Sequence, residues 1–187
     1  KAYDKNWKPT KCYRTWINML KRCYDPKFHE KYPTYKGCKV YDKLLNFQNF
    51  AKWYEDNYYE IEGENMCLDK DILVKDNKIY SPETSVFVPE KINLLFIKRD
   101  KSRGEYPIGV DYYKQTGKFR VQCRVYDYKE NKKKKINLGY YNTPEEAFEV
   151  YKQFKESYIK EVADYYKDKI PKKLYDSMYN YEVEIND

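Results

Sequence analysis

No apolar run in this chain approaches the roughly 18 residues needed to cross a bilayer, which excludes a membrane-spanning helix. The first residues, Lys1-Ala2-Tyr3-Asp4, are charged and lack the hydrophobic stretch of a secretory signal, so a cytoplasmic protein with no membrane partner is expected. Paired cysteine spacing is also missing. Cys12, Cys23, Cys38, Cys67 and Cys123 form an odd, scattered set without a C-x-x-C pair, which argues against a disulfide framework and against zinc. These thiols read as small core residues. Histidine is nearly absent, and His29 is the one imidazole that could act as a conventional base.

Tyrosine and lysine are plentiful instead. Aromatic residues make up 19% and charged residues 36% of the 187 residues, so apolar surface comes from rings rather than from aliphatic runs. A chain of this length holds one sizeable core or two small ones, and two modules are expected. The net charge of +7 makes an anionic partner plausible, because lysines near phosphates gain affinity by releasing counterions.

Tyr13, Trp16, Ile17, Leu20 and Cys23 recur at helical spacing up to Asp25-Pro26, where proline disfavours further helix. Lys27 to Val40 reads as loop, broken by Pro33 and Gly37. Phe47, Phe50, Ala51 and Tyr54 then restore a helical stripe with Asn46 as its cap. From Met66 a strand ends at Leu68-Asp69, a polar loop runs from Asp71 to Asn77, and Tyr80 to Val88 forms a second extended piece. Pro89 is placed to open a helix carrying Ile92, Leu95 and Phe96. The charged run Lys98 to Gly104 is the best linker candidate.

Beyond it, Ile108–Val110, Lys118–Val125 and Lys135–Tyr141 read as three strands, with Gln115-Thr116-Gly117 as the first turn. On the middle strand, period-two alternation puts Phe119, Val121, Cys123 and Val125 on one face. Lys118, Arg120, Gln122 and Arg124 take the other. Thr143-Pro144-Glu145-Glu146 is a helix start with cap, proline and capping-box glutamate. Ala147, Tyr151, Phe154, Tyr158, Val162 and Tyr165 then keep one apolar face, long enough to cover the sheet. A short helix is expected around Leu174 to Tyr179.

A sheet with one face covered and Arg120, Gln122 and Arg124 on the other offers donors suited to base edges and phosphates. Lys132 to Lys135 are expected in the turn beside it, gripping backbone. The order Gly109-Val110, Lys118-Phe119-Arg120-Val121, Leu138-Gly139-Tyr140-Tyr141, Thr143-Pro144-Glu145-Glu146-Ala147 and Tyr151 resembles the DNA-binding domain of the Apetala/ethylene-response-factor family over about sixty residues. That resemblance implies a three-stranded sheet laid in the major groove of double-stranded DNA. It also implies contacts from Tyr112, Lys114, Lys118, Arg120, Arg124 and Lys135, to which the alternation adds Gln122 and the lysine run adds Lys132 and Lys133. The insert Tyr126 to Lys134 is a departure from the family pattern.

Residues Trp16 through Phe96 resemble phage HNH-type endonucleases, the matching residues being Tyr13, Trp16, Met19, Arg22-Cys23, Tyr35, Gly37-Cys38, Val40, Phe47, Phe50, Trp53, Leu68-Asp69-Lys70-Asp71, Tyr80-Ser81-Pro82-Glu83 and Asn93. The resemblance implies a strand-loop-strand-helix finger carrying a base and a magnesium or manganese ion. Here the family's Asp-His pair has become Asp69-Lys70, and Thr84 stands at the middle Asn position. The catalytic candidates are Asp69, Lys70 and His29, and the candidate metal ligands are Asp69, Asp71, Asn77 and Asn93.

The expected architecture is α+β. N-terminal helices with a ββα, His-Me-finger-like module occupy residues 1–100, and a three-stranded antiparallel sheet packed on one long helix occupies 105–187. Two functions stay open: a DNA-binding protein that cleaves with a metal ion, and a non-catalytic phage regulator or anti-defence factor with a degenerate finger and a protein partner.

Overall fold

A computed structural model of the chain describes residues 1–97, 104–128 and 130–185. The fold is mixed α+β and divides into two compact units, Lys1–Asn93 and Leu94–Asp187. The expected linker lies outside the described residues except for Gly104.

In the first unit, α1 (Lys11–Tyr24) opens on Thr10, whose hydroxyl accepts from the Tyr13 amide. Asp25 closes α1 and starts α2 (Pro26–Lys31), its carboxylate accepting from the amides of Lys27 and Phe28. Pro26 therefore opens a helix as well as ending one, because the first helical position needs no N–H. The expected loop from Lys27 to Val40 holds α2, a 3-10 turn at Pro33–Tyr35 and strand β1 (Lys39–Val40). A single helical turn, α3 (Asp42–Leu45), precedes α4 (Phe47–Asn57), which is capped by Asn46 as expected.

Strand β2 (Met66–Asp69) pairs antiparallel with β4 (Val86–Pro89), and β3 (Ile79–Tyr80) pairs parallel with β1. The expected strand from Tyr80 to Val88 is broken by a turn. Ser85 N–H donates to the Ser81 carbonyl at 2.9 Å, and the Ser81 hydroxyl accepts from the Thr84 amide. Pro89 ends β4 rather than opening a helix, and α5 (Glu90–Asn93) is one turn long. Met19 and Cys23 of α1, Phe50 and Trp53 of α4, Leu68, Tyr80 and Phe87 form one buried cluster. Each large side chain there contributes about 2 kcal/mol of burial.

The second unit is a three-stranded antiparallel sheet in the order β5 (Val110–Tyr113), β6 (Lys118–Asp127), β7 (Lys132–Tyr141), packed against helix α6 (Pro144–Tyr166). Strands β6 and β7 are longer than expected, so the run Lys132 to Lys135 lies in β7 and not in the turn. Opposite-charge pairing carries the extension: Lys134 bonds both Asp127 and Glu130 across it. Leu138 is the extra residue of a bulge, since Val121 pairs with Gly139 and Gln122 with Asn137.

Thr143 caps α6, its hydroxyl accepting from the Glu146 amide, and Glu146 reaches back to the Asn142 N–H. Ala147, Phe148 and Tyr151 of α6 cover Val121 and Cys123. Farther along, Ile159, Val162 and Tyr166 are buried, as are Leu174 and Met178 of α7 (Lys172–Tyr179).

Candidate functional site

Pairing register sorts every side chain of the second unit's sheet onto one of two faces, because partners across strands share a face and neighbours along a strand alternate. Val121 and Cys123 are buried under α6, so Val110, Tyr112, Phe119, Val125, Ile136 and Tyr141 share that face. The opposite face carries Asp111 and Tyr113 from β5, Lys118, Arg120, Gln122, Arg124 and Tyr126 from β6, and Lys133, Lys135, Asn137 and Tyr140 from β7. Five cations stand there against one carboxylate, Asp111. Along β6 the basic positions run from Lys118 to Arg124, roughly 20 Å at the rise of a strand.

Two regions of this face differ. Near β5, Arg120 is held in place: Nη2 donates to Asp111 Oδ2 at 2.8 Å and Nε to Oδ1 at 3.3 Å. Its guanidinium carbon lies 4.6 Å from the Tyr113 ring centre, and Tyr113 meets Tyr140 at 5.5 Å. The hydrogen bond to Asp111 raises the Arg120 pKa further above its ordinary value. Toward the other end, Arg124 sits directly opposite Lys135. Both are exposed, and no carboxylate pairs with either among the described residues. Like charges directly opposed across strands destabilise a sheet.

Of the expected contact residues, Lys118, Arg120, Gln122, Arg124, Lys133 and Lys135 share this outward face, and Lys114 is exposed in the β5–β6 turn. Tyr112 and Lys132 fall on the helix side. Tyr112 packs edge-on to Phe119, and Lys132 is ion-paired with Glu130. Tyr113, Tyr140 and Asp111 belong to the outward face and were not among the residues expected from sequence. Counting back from the turn finds two of them: with Lys114–Gly117 as the loop, Tyr113 opposes Lys118 and Asp111 opposes Arg120.

The loop after β2 in the first unit is a separate polar cluster. Asp69 Oδ1 accepts from the amides of Asp71 and Ile72 at 2.9 and 2.8 Å. Burial, and then the Asp71 charge, push the Asp69 carboxyl up to about 6. Lys70 is buried; its ammonium donates to the Asn77 carbonyl at 2.9 Å and lies 3.0 Å from Asp71 Oδ2. Asn77 donates its amide to the carbonyls of Lys70 and Ile79 and accepts from Ile79 N–H. Thr84 closes the same loop by donating to Ile79 O at 2.7 Å.

His29 reaches that cluster only indirectly. Its Nε2–H donates to the Arg22 carbonyl at 2.8 Å, and Arg22 in turn donates to the carbonyl of Leu68 at 3.1 Å. No hydrogen bond joins His29 to Asp69, Lys70 or Asp71 among the described residues. Asn93, on α5, is likewise not bonded to the loop.

The candidate ligands do not fit magnesium or manganese in this arrangement. One oxygen of Asp69, one of Asp71 and the side-chain oxygen of Asn77 are engaged by backbone amides or by Lys70, and an ammonium among them repels a dication. Among the described residues no three His, Cys, Asp or Glu side chains are grouped to hold a metal ion. Lys70 supplies positive charge to this loop in the manner of an internal cation.

No model of a known protein family, no curated protein and no solved structure matches this chain. No described helix is long and apolar enough to cross a membrane.

Proposed function

We propose that this chain binds double-stranded DNA through the outward face of β5, β6 and β7. The observation that carries this reading is the Arg124–Lys135 pair, two exposed cations directly opposed with no carboxylate to neutralise them. A sheet that needed only solubility would alternate signs there, whereas an anionic backbone laid across the face supplies the missing charge. The size also agrees. Three strands about 4.8 Å apart span roughly 10 Å, within the roughly 12 Å width of the major groove.

Chemistry on the face divides into the two kinds that DNA recognition uses. Lys118, Lys133 and Lys135 suit phosphates, while Arg120, Gln122 and Arg124 on the central strand suit base edges. The resemblance in residue order to the Apetala/ethylene-response-factor domain supports the same reading. The first unit serves as scaffold in this proposal, since the Asp69 loop spends its donors and acceptors on itself.

Fluorescence anisotropy with a labelled duplex of random sequence, at low and at physiological salt, is the direct test. Binding that weakens with salt, and weakens at least tenfold in Arg124→Ala/Lys135→Ala, is expected. Absence of binding at low salt would overturn the proposal. A plasmid incubated with magnesium or manganese is expected to stay intact. Nicking that Asp69→Ala abolishes would restore the nuclease reading.

A further inference from the structure

Asp111 is anomalous on a face built to meet phosphates. It is the one carboxylate opposite five cations, and it stands directly across from Arg120 in the centre of the sheet. If charge attraction were all the face required, this residue would only weaken it. What Asp111 does geometrically is fix a guanidinium. It takes the Nε–H and one Nη2–H of Arg120, while Tyr113 packs under the guanidinium plane and Tyr140 packs against Tyr113.

A guanidinium has five N–H donors in a planar fork. With two given to Asp111, the two on Nη1 and one on Nη2 remain. The Nη1 and Nη2 donors at the tip of the fork point side by side, the geometry that matches two adjacent acceptors such as guanine O6 and N7. An arginine without such support would adapt its rotamer to phosphate or base alike. Held at its side by a carboxylate and below by a ring, Arg120 presents its tip in one orientation.

We propose that Asp111 is a positioning residue that gives this face its preference among DNA sequences, by locking Arg120 in a base-reading orientation at the expense of nonspecific affinity. The inference rests on the DNA-binding reading above and deepens it. It assigns opposite signs to two measurable effects of one side chain. Removing the carboxylate strengthens binding to any duplex, through the charge, and weakens discrimination, through the loosened guanidinium.

The experiment begins with selection of bound duplexes from a random pool, using the full chain. Affinities of the unaltered protein and of Asp111→Asn are then measured for the best selected duplex and for a scrambled one at the same salt. Asp111→Asn is expected to bind the scrambled duplex about threefold more tightly while the ratio of the two affinities falls about tenfold. Arg120→Lys, which keeps the charge and loses the fork, is expected to lower the ratio by a similar factor. Asp111→Ser, which also removes the carboxylate, serves in its place if Asp111→Asn fails to fold.

A ratio unchanged when the Asp111 carboxylate is removed, with binding intact, would overturn the role of Asp111 and leave the DNA-binding reading standing. Failure of the unaltered protein to bind any duplex would overturn both.

Discussion

The Tyr151 ring of α6 occupies the space where a side chain on Gly109 would begin: a Cβ placed there would lie 2.1 Å from Tyr151 Cδ2. Gly109 also has a φ of +79°, a left-handed conformation that side chains disfavour. Helix and sheet approach closely because this residue has no side chain. Gly109→Ala is therefore expected to cost about 3 kcal/mol, combining backbone strain with overpacking. Gly117 provides the comparison. Its φ is +67°, but an added Cβ meets only Tyr112 Oη at 3.8 Å, so Gly117→Ala should cost about 1 kcal/mol. Thermal unfolding of the two variants checks the order, and equal losses would show that packing against Tyr151 is unimportant.

Much of the second unit could be read from sequence because its signals are local. Thr143-Pro144-Glu145-Glu146 carries a complete helix start in four residues, and the structure begins α6 at Pro144 with Thr143 as cap. The alternation of Phe119, Val121, Cys123 and Val125 likewise gave the buried face of β6 directly. What was hidden depends on partners. The lysine run reads as a turn because it is polar, and it becomes strand only through Asp127 and Glu130, which neutralise Lys134. In the first unit, Pro26 reads as a stop, although Asp25 before it caps a new helix. Asp111, a lone acid in a short strand, carries little meaning in the sequence until the register sets Arg120 opposite it.

Lys155 lies on the buried side of α6 with 9% of its surface exposed, over the Tyr158 ring and beside Cys123. Burial lowers its pKa below 10.5. Between the folded value and 10.5 the unfolded chain holds more protons, so stability rises with pH across that window and is lost as pH falls through the folded value. Lys155→Met, which keeps the volume without the charge, is expected to stabilise the unit by about 1 kcal/mol at neutral pH. It should also flatten the alkaline rise. Calorimetry at several pH values checks both, and a loss of stability in Lys155→Met would show that the ammonium is well accommodated.

Lys70 has the opposite standing, because its ammonium is satisfied. It bonds the Asn77 carbonyl and pairs with Asp71, so it holds the loop between β2 and β3 in place. Lys70→Met leaves that carbonyl and carboxylate without their donor and is expected to cost about 2–3 kcal/mol. All three tryptophans, Trp7, Trp16 and Trp53, lie in the first unit, so urea unfolding followed by tryptophan fluorescence reports on this region. Unchanged stability would mean that Lys70 is not structural and would return it to the candidates for chemistry.

The lysine run offers a sharper test of the sheet face, because strand alternation divides it. Lys133 and Lys135 point outward with Arg124, whereas Lys132 and Lys134 fall on the helix side and pair with Glu130, Lys134 also with Asp127. Each phosphate contact contributes about 0.9 to the slope of log affinity against log salt. Lys133→Ala/Lys135→Ala should therefore reduce the magnitude of that slope by about two. Lys132→Ala/Lys134→Ala removes the same formal charge and should leave the slope nearly unchanged, since those lysines already have carboxylate partners on the other face. If both double variants lowered it equally, the run would act as diffuse charge, and the faces assigned by the β6–β7 register would have no bearing on how the sheet meets DNA.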